Sequence, residues 1–460
     1  AIFVSFLAMA TALLLVKLSL APFNLLAGKS LVVSTLFQPA AIALLAGMVL
    51  LVGGLAGGCP AFVLSHFKPV AVLKGKIGSW QRGERLRQSL VVFQFAISIA
   101  LIVATCVVYL QLQFMKTQQL GFEKEQVLLL DFNGDNEVRQ RLETIKAELA
   151  RQPGVRSVSA SQTVPGRGLP ASGGMVRKAD GSEEEISVGL YMVDFDFVDL
   201  YKMDIVAGRS FSNELSTDSS DAIILSETAV KRLGLASPED ALGLDASFWG
   251  NAGQVIGVSR DIHHYALQTS VAPMALRIDR DNLSLFSIRI EAENIASTIA
   301  GLQSTWTELV PQRPFAYQFL DEAFDAQYRS EERFGSVFIV FTVLALLIAC
   351  LGLFGLATFT VLSRTKEIGV RKVLGASTQS LLYLLSKDFT RLVVISILLA
   401  TPVVYLSMNR WLESFSYRID IPWWLFVVAG GGALIIAWLT VSTQSLKAAH
   451  ANPVDALKYE

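Results

Sequence analysis

The sequence predicts an α-helical transmembrane bundle of six spans with a mixed α/β domain inserted between the third span and the fourth. Of its 460 residues, 52% are hydrophobic and 17% are charged, whereas a globular domain carries about 25% charged residues. The apolar residues concentrate toward the two ends, and the middle has the composition of a water-soluble protein. These figures exclude a disordered chain, a coiled coil and, at a net charge of −1, a basic nucleic-acid-binding protein.

The spans follow from the length of the apolar stretches. A helix needs about 20 mostly apolar residues to cross the hydrocarbon core of a bilayer. Lys17 lies near the end of the first stretch and is long enough to reach the headgroups. Six stretches qualify, and each lacks an acidic residue at its centre: residues 1–20, 39–64, 90–112, 334–362, 381–408 and 423–441.

The orientation follows from Lys and Arg in the short loops, because basic loops stay in the cytoplasm. The loop between the first two spans holds only Lys29. Basic residues instead cluster in loop 65–89, in segment 363–380 and in the tail 442–460, which are therefore predicted to be cytoplasmic. Residues 113–332 then lie outside, in the periplasm or at the cell exterior.

The predicted outer domain mixes strands and helices. Alternating or continuous short apolar runs predict strands, and apolar residues at helical spacing predict helices. Gly and Pro in residues 164–174 favour a long loop. The predicted strands are residues 127–130, 155–160, 186–193, 222–225, 254–258 and 286–291, and the predicted helices are residues 136–151, 227–233 and 295–309.

Asp261, His263 and His264 are the outer domain's candidates for chemistry, because His supplies general bases and metal ligands. No Gly-x-Ser-x-Gly elbow and no third ligand at a recognisable spacing accompany them. The favoured interpretation is a strand end whose Asp caps the following turn. The acidic run 183–185 is interpreted as a solvated hairpin tip.

Two apolar stripes flank the outer domain and predict helical stalks. If these helices pair, motion of the outer domain is linked to motion in the membrane; simple linker helices are the alternative. The stripes are Val108, Leu112 and Met115 after the third span, and Leu320, Phe324 and Tyr328 before the fourth.

Polar and small residues inside the spans indicate helix packing. Gln94, Ser98 and Thr105 in the third span predict hydrogen bonds at a helix interface, with a substrate path as the alternative. Close packing is predicted at Gly352, Gly355 and residues 430–432.

The segment after the fourth span reads RTKEIGVRKVLGAS over residues 364–377. As a helix it places Val370, Val373 and Leu374 on one face and charged residues, with Glu367 and Arg371 at i and i+4, on the other. Such a helix could lie on the headgroups or fit a groove on a cytoplasmic partner, and the residues alone leave both open.

This string resembles the hallmark of the FtsX-like and MacB-like permeases of ABC transporters. The tail ANPVDALK at 451–458 resembles that family's ending, and residues 121–126, 206–211 and 257–263 also fit it. The resemblance implies a periplasmic core domain of the MacB type, moved by a separate ATPase through mechanotransmission. It assigns ATPase coupling to Arg364, Lys366, Glu367, Ile368, Gly369, Arg371, Lys372, Leu374 and Gly375.

The resemblance also implies partners and location. It implies a multi-pass protein of the bacterial inner membrane, a cytoplasmic ABC ATPase subunit, a homodimer or pseudo-symmetric dimer, a periplasmic adaptor and membrane lipid. ATP and Mg would be bound by the partner, with no catalytic residue, cofactor or metal in this chain. Residues 28–30 supply only the end of a P-loop, because Phe23 occupies the place of its first glycine. Export of an amphiphilic, peptide or lipid-linked substrate is expected, with a non-transporting signal transmitter as the alternative.

An internal repeat supports a duplicated origin. KPVAVLK at 68–74 parallels NPVDALK at 452–458. Relatives with this layout have two halves, so the chain is expected to be a fragment that lacks the N-terminal span, the first periplasmic domain and the first coupling segment.

Overall fold

The computed structural model describes residues 1–65, 80–265, 267–363, 370–371, 374 and 377–450. The chain divides into two compact units. The membrane unit comprises residues 1–111, 330–412 and 419–460, and the outer domain comprises residues 112–329 and 413–418.

Twelve α-helices and eleven strands occur in the described part of the chain. The helices are α1 Ile2–Ala27, α2 Pro39–Ser65, α3 Trp80–Thr117, α4 Asn136–Gln140, α5 Leu142–Ala150, α6 Phe197–Leu200, α7 Glu227–Arg232, α8 Ile295–Leu309, α9 Leu320–Asp325, α10 Arg329–Ser363, α11 Thr378–Leu412 and α12 Trp424–His450. The strands are β1 Val127–Asp131, β2 Val155–Ser161, β3 Ala171–Arg177, β4 Glu183–Val193, β5 Ile205–Gly208, β6 Ala222–Ser226, β7 Asp245–Phe248, β8 Asn251–Ser259, β9 Met274–Ile278, β10 Leu285–Ile290 and β11 Tyr317–Phe319.

Six helices among the described residues are long and apolar enough to cross a membrane. Together with the sheet-rich outer domain they confirm the predicted fold class. The candidate spans are Ile2–Ala27, Pro39–Gly58, Leu86–Thr117, Leu320–Ser363, Ser386–Leu412 and Trp424–Thr443.

Four helices of the membrane unit, α3, α10, α11 and α12, share one apolar core that includes the fully buried Phe95, Leu353 and Val393. The remaining two, α1 and α2, pack on each other. The predicted polar interface is confirmed at Thr105, whose hydroxyl lies 2.9 Å from that of Thr342 on α10. Ser98 instead donates to the Gln94 carbonyl of its own helix, at 2.9 Å.

Close packing at glycine is confirmed at two positions and wrong at three. A β-carbon on Gly352 would lie 2.2 Å from Oε1 of Gln94, and one on Gly430 would lie 2.9 Å from Cδ1 of Ile397. Nothing lies within 4 Å of such an atom at Gly355, Gly431 and Gly432.

The outer domain is built on one eleven-stranded sheet in the order β11-β1-β10-β2-β4-β3-β7-β8-β6-β9, with β5 paired to β8 and an additional parallel pairing of β4 with β9. It has two cores. One lies under β1, β2 and β10, where α5 and α8 bury Ile145, Leu149, Leu302 and Trp306. The other lies between α7 and the strands β4, β6 and β8, and it includes Leu225 and Val230.

Residues 164–174 are not a single loop, because β3 begins at Ala171. One glycine of β3 serves close strand packing: a β-carbon on Gly174 would lie 2.3 Å from Cδ1 of Phe248 on the neighbouring β7. Glycine in this strand therefore marks a crowded sheet position rather than a turn. The predicted helix 136–151 is interrupted at Arg141, which separates α4 from α5.

Candidate functional site

The outer domain contains a packed cluster where its two stalk segments meet, here called the stalk junction: residues 120–126, 261–265, 267–268 and 320–328. The second apolar stripe is confirmed, because Leu320, Phe324 and Tyr328 are almost fully buried. The Phe324 ring packs edge-on against Phe122, with centroids 5.7 Å apart. Because Phe122 follows α3 and Phe324 precedes α10, the two stalk segments share one apolar contact.

Gly121 brings two chain segments into contact within the junction. It has φ +81°, and a β-carbon there would lie 2.5 Å from the Asp261 carbonyl oxygen. The His263 amide donates to the Leu120 carbonyl at 2.9 Å. Two segments that the sequence marked separately, 121–126 and 257–263, are therefore neighbours, and only glycine fits at their crossing.

Arg289 of β10 holds the first of these segments from inside the domain. Its side chain is only 8% exposed. It donates to the Leu200 carbonyl at 2.7 Å, to the Glu123 carbonyl at 3.2 Å and to the Glu123 carboxylate at 3.1 Å. A hydrogen bond from Lys202 lowers the pKa of Glu123, and the charges of Lys202 and Arg289 lower it further. Glu123 therefore stays ionised and bonded.

Lys124 links the same segment to the second stalk. Its ammonium lies 2.5 Å from the Asp325 carboxylate and 5.4 Å from the centroid of the Phe324 ring. The Lys124 side chain is mostly buried, so this pair is screened less than a surface ion pair. An ion pair and a cation–π contact thus join the residues after α3 to the residues before α10.

A loop of the outer domain closes over the stalk helix α9. Gly166 has φ +92°, and a β-carbon there would lie 3.1 Å from Cδ2 of Phe324. The Gly166 amide donates to the His264 carbonyl at 2.7 Å, and the Leu267 amide donates to the Tyr328 hydroxyl at 3.3 Å. The end of the stalk is therefore enclosed by outer-domain backbone.

Asp261 and His263 have separate structural partners. The Asp261 carboxylate accepts from the Thr228 amide at 2.8 Å and from the Thr228 hydroxyl at 2.7 Å. It therefore caps the start of α7, not the turn that follows it. The His263 ring packs edge-on on Tyr417, with centroids 4.9 Å apart. Burial lowers the pKa of His263, and Asp261 partly opposes this.

His264 is a buried neutral imidazole. Its Nδ1 pairs with the Tyr191 hydroxyl, and its Nε2 donates to the Arg167 carbonyl at 2.6 Å. Burial lowers the pKa of His264 to about 4. Among the described residues, no three His, Cys, Asp or Glu side chains are grouped so that they could hold a metal ion. The geometry gives these three side chains packing and capping roles.

A short loop between α11 and α12 also belongs to the outer domain. The Ser416 amide donates to the Gln268 carbonyl at 3.1 Å, and the Ser416 hydroxyl lies 3.2 Å from the same oxygen. With Tyr417 on His263, residues 413–418 form a third chain connection at the junction.

Most of the predicted coupling segment lies outside the described residues: Arg364, Lys366, Glu367, Ile368, Gly369, Lys372 and Gly375. Residues 370 and 371 are helical, and the Leu374 amide donates to the Val370 carbonyl at 3.0 Å. The Leu374 side chain is 80% exposed and Val370 is also exposed. The repeat sequences 68–74 and 452–458 are likewise outside the described residues.

Sequence reasoning missed the polar members of the junction. Arg289 carried a signal, since a cation between Ile288 and Ile290 in an apolar strand needs buried acceptors. Lys124 lies in segment 121–126, which fits the family pattern, but its partner Asp325 is 201 positions away. No local pattern indicates such a pair.

The six membrane-length helices and the large sheet domain inserted between them are those of a multi-pass membrane protein. Residues 339–453 match the family model described as the FtsX-like permease C-terminal domain. The predicted resemblance to FtsX-like permeases is thereby confirmed over these residues.

Two solved structures are similar to part of this chain. The periplasmic region of MacB from Actinobacillus actinomycetemcomitans has 16% identity and a TM-score of 0.32, over 46% of this chain and 95% of that one. The extracellular domain of the ABC-type transporter YknZ from Gram-positive bacteria has 18% identity and a TM-score of 0.30, over 42% of this chain and 98% of that one. No curated protein matches this chain.

Proposed function

We propose that this protein is the transmembrane permease subunit of an ABC transporter and that ATP hydrolysis by a separate cytoplasmic subunit moves its outer domain. One observation carries this: the FtsX-like match over residues 339–453 includes the whole candidate coupling segment and the two helices that follow it. The protein would lie in the bacterial inner membrane, with the outer domain in the periplasm and ATP and Mg bound by the partner.

The stalk junction supports the mechanical part of the proposal. Lys124 with Asp325 and Phe122 with Phe324 join the two stalk segments, and Arg289 joins the first stalk to strand β10. A displacement of either stalk would therefore be transmitted to the sheet rather than absorbed by a loose linker. Packed interfaces transmit strain because they deform little.

The coupling segment supports the docking part. The exposed Leu374 and Val370 offer apolar surface, and the basic residues around Glu367 offer charge. If the segment docks on the ATPase, the ATPase must provide a groove that covers the apolar residues and pairs with the charged ones. The other occupant of such a face is the headgroup layer, so partner binding is what must be measured.

The partners follow from the same proposal. A permease of this layout would work as a homodimer or as a pseudo-symmetric dimer, with a periplasmic adaptor as a further partner. The substrate would be amphiphilic, peptide or lipid-linked.

The test is association with the ATPase. The protein is purified in detergent through an affinity tag at its cytoplasmic tail, and co-purifying ATPase activity is measured. The double substitution Glu367→Lys with Arg371→Glu should abolish co-purification at unchanged membrane insertion. Arg410→Glu is the control, because Arg410 is an exposed cation in the last turn of α11, far along the chain from the coupling segment. Full ATPase recovery with the double variant would remove the assignment of this segment.

A second arm separates transport from signalling. A transporter's ATPase activity should rise with its substrate class, tested with lipopeptides and other amphiphiles. Activity that responds only to a bound periplasmic protein would instead establish the signal transmitter.

A further inference from the structure

A cavity of about 400 Å³ opens between α3 and α10 within the membrane unit. Its wall includes Arg87 and Gln94 of α3, and Gly352, Gly355 and Phe359 of α10. Gly355 provides space, because nothing lies within 4 Å of where a β-carbon on it would be. The cavity is therefore an opening in the helix packing that a larger residue would fill.

Arg87 places a cation at this cavity. Its guanidinium carbon lies 4.1 Å from the centroid of the Phe359 ring, which fixes the planar group by a cation–π contact. Arg87 takes part in none of the ion pairs between described side chains. A guanidinium presents donors in a fork that matches a phosphate or carboxylate, so its hydrogen-bonding capacity is available to an anionic ligand.

Gln94 adds a polar group to the same wall. Its Oε1 atom is buried and has no hydrogen-bond partner among the described residues. That atom lies against Gly352, where a β-carbon would approach to 2.2 Å. An amide without a partner is costly in an apolar surrounding. The amide nitrogen of the same side chain is a donor and could bond an ester carbonyl of an amphiphile at this depth.

The position of the cavity in the membrane indicates which kind of ligand it binds. Arg87 belongs to the basic loop 65–89, which predicts that this end of α3 lies in the cytoplasmic leaflet. Basic pockets between membrane helices on the cytoplasmic side bind anionic lipid headgroups. The apolar part of the wall, Leu90, Val91 and Leu356, suits an acyl chain.

We propose that this cavity binds one anionic phospholipid of the cytoplasmic leaflet. The phosphate is held by Arg87, an ester carbonyl accepts a hydrogen bond from the Gln94 amide nitrogen, and an acyl chain lies along the apolar wall. The proposal rests on the orientation of the helices and is independent of the ATPase partner.

The test uses the whole protein purified in detergent and incubated with phosphatidylglycerol, phosphatidylcholine or inorganic phosphate, with bound lipid counted by native mass spectrometry. Wild-type protein should retain phosphatidylglycerol in preference to phosphatidylcholine. Arg87→Gln should lower the apparent affinity for phosphatidylglycerol roughly fivefold. Arg391→Gln is the control, because it removes an exposed cation of α11 that is not part of the cavity; its affinity should be unchanged.

Two further variants test the cavity itself. Gly355→Leu should fill the space and abolish retention without changing charge. Gln94→Leu should lower retention while leaving the melting temperature equal or higher, because it removes a buried amide oxygen that lacks a partner. Equal retention of both lipids, equal loss with Arg391→Gln, or displacement of the lipid by inorganic phosphate would overturn the proposal.

Discussion

The buried Arg289 side chain holds several hydrogen-bond acceptors of the outer domain in place. Its donors reach the main-chain carbonyls of Leu200 and Glu123 and the Glu123 carboxylate. Substitution by an apolar residue of similar length leaves these acceptors buried and unsatisfied. An unsatisfied buried polar group costs about 1–3 kcal/mol.

We therefore expect Arg289→Met to lower the free energy of opening of β10 by about 3 kcal/mol. Hydrogen exchange of the β1 and β10 amides in the whole protein measures it. Arg260→Met is the matched control, since Arg260 is exposed and lies 3.7 Å from Asp204; it should change exchange by less than about 0.5 kcal/mol. Equal effects of the two substitutions would contradict the anchoring role of Arg289.

His264 gives the outer domain a pH dependence. Its pKa is about 4 in the folded domain and about 6.5 in an unfolded chain. Between these values the unfolded state binds more protons, so stability falls as pH decreases from about 6.5 to about 4. The loss amounts to about 3 kcal/mol at most. Exchange of residues 261–268 across this pH range measures it, and His264→Gln should flatten the profile.

The sequence placed Asp261, His263 and His264 together but could not say where each side chain points. Adjacent residues in an irregular segment face different neighbours. Here one caps α7, one packs on Tyr417 and one is buried beside Tyr191. A structural role was predicted, but the capping of the following turn was wrong: Asp261 bonds Thr228, 33 positions away, and no local signal identifies that partner.

At the scale of elements, α9 is the part of the second stalk that the outer domain encloses. Phe324 is fully buried between Phe122 and Gly166. We expect Phe324→Ala to destabilise the outer domain by about 3–5 kcal/mol, measured as accelerated exchange in residues 120–126. Tyr317→Ala, at an exposed site on β11, should have little effect. Unchanged exchange with Phe324→Ala would show that the stalk is a simple linker.

The Lys124 and Asp325 pair joins the two stalk segments electrostatically. Lys124→Glu or Asp325→Lys alone places like charges together and should weaken transmission, read as lower substrate-stimulated ATPase activity in the complex. The double reversal should recover part of that activity. Because Asp325 is partly exposed, the effect on stability itself should be below about 1 kcal/mol. Absence of recovery in the double variant would show that the pair does not act as a unit.

Periodicity predicted most outer-domain elements because their apolar residues face one core. Val138, Leu142, Ile145 and Leu149 are all buried as their spacing indicated. It missed β3, whose glycines resemble loop residues, and the short strands β5, β7, β9 and β11. Those strands owe their structure to neighbours in the sheet, and a neighbour distant in sequence leaves no local pattern.

At the scale of the whole molecule, composition predicted that part of the chain lies in a membrane rather than in water. Six apolar stretches require a bilayer, and the described helices have the necessary length. Composition could not predict that residues 120–126, 261–265, 267–268, 320–328 and 413–418 meet in the outer domain. Tertiary contacts alone create that site.

The most direct test of the account follows the stalk junction through the ATPase cycle. Hydrogen exchange of residues 120–126 and 320–328 is compared in the purified complex without nucleotide, with ATP and after trapping with vanadate. If ATP hydrolysis moves the outer domain through the stalks, exchange in both segments should change together between these states, and the Glu367→Lys with Arg371→Glu variant should abolish the change. Identical exchange in every nucleotide state, in a complex that hydrolyses ATP, would contradict transmission through this junction.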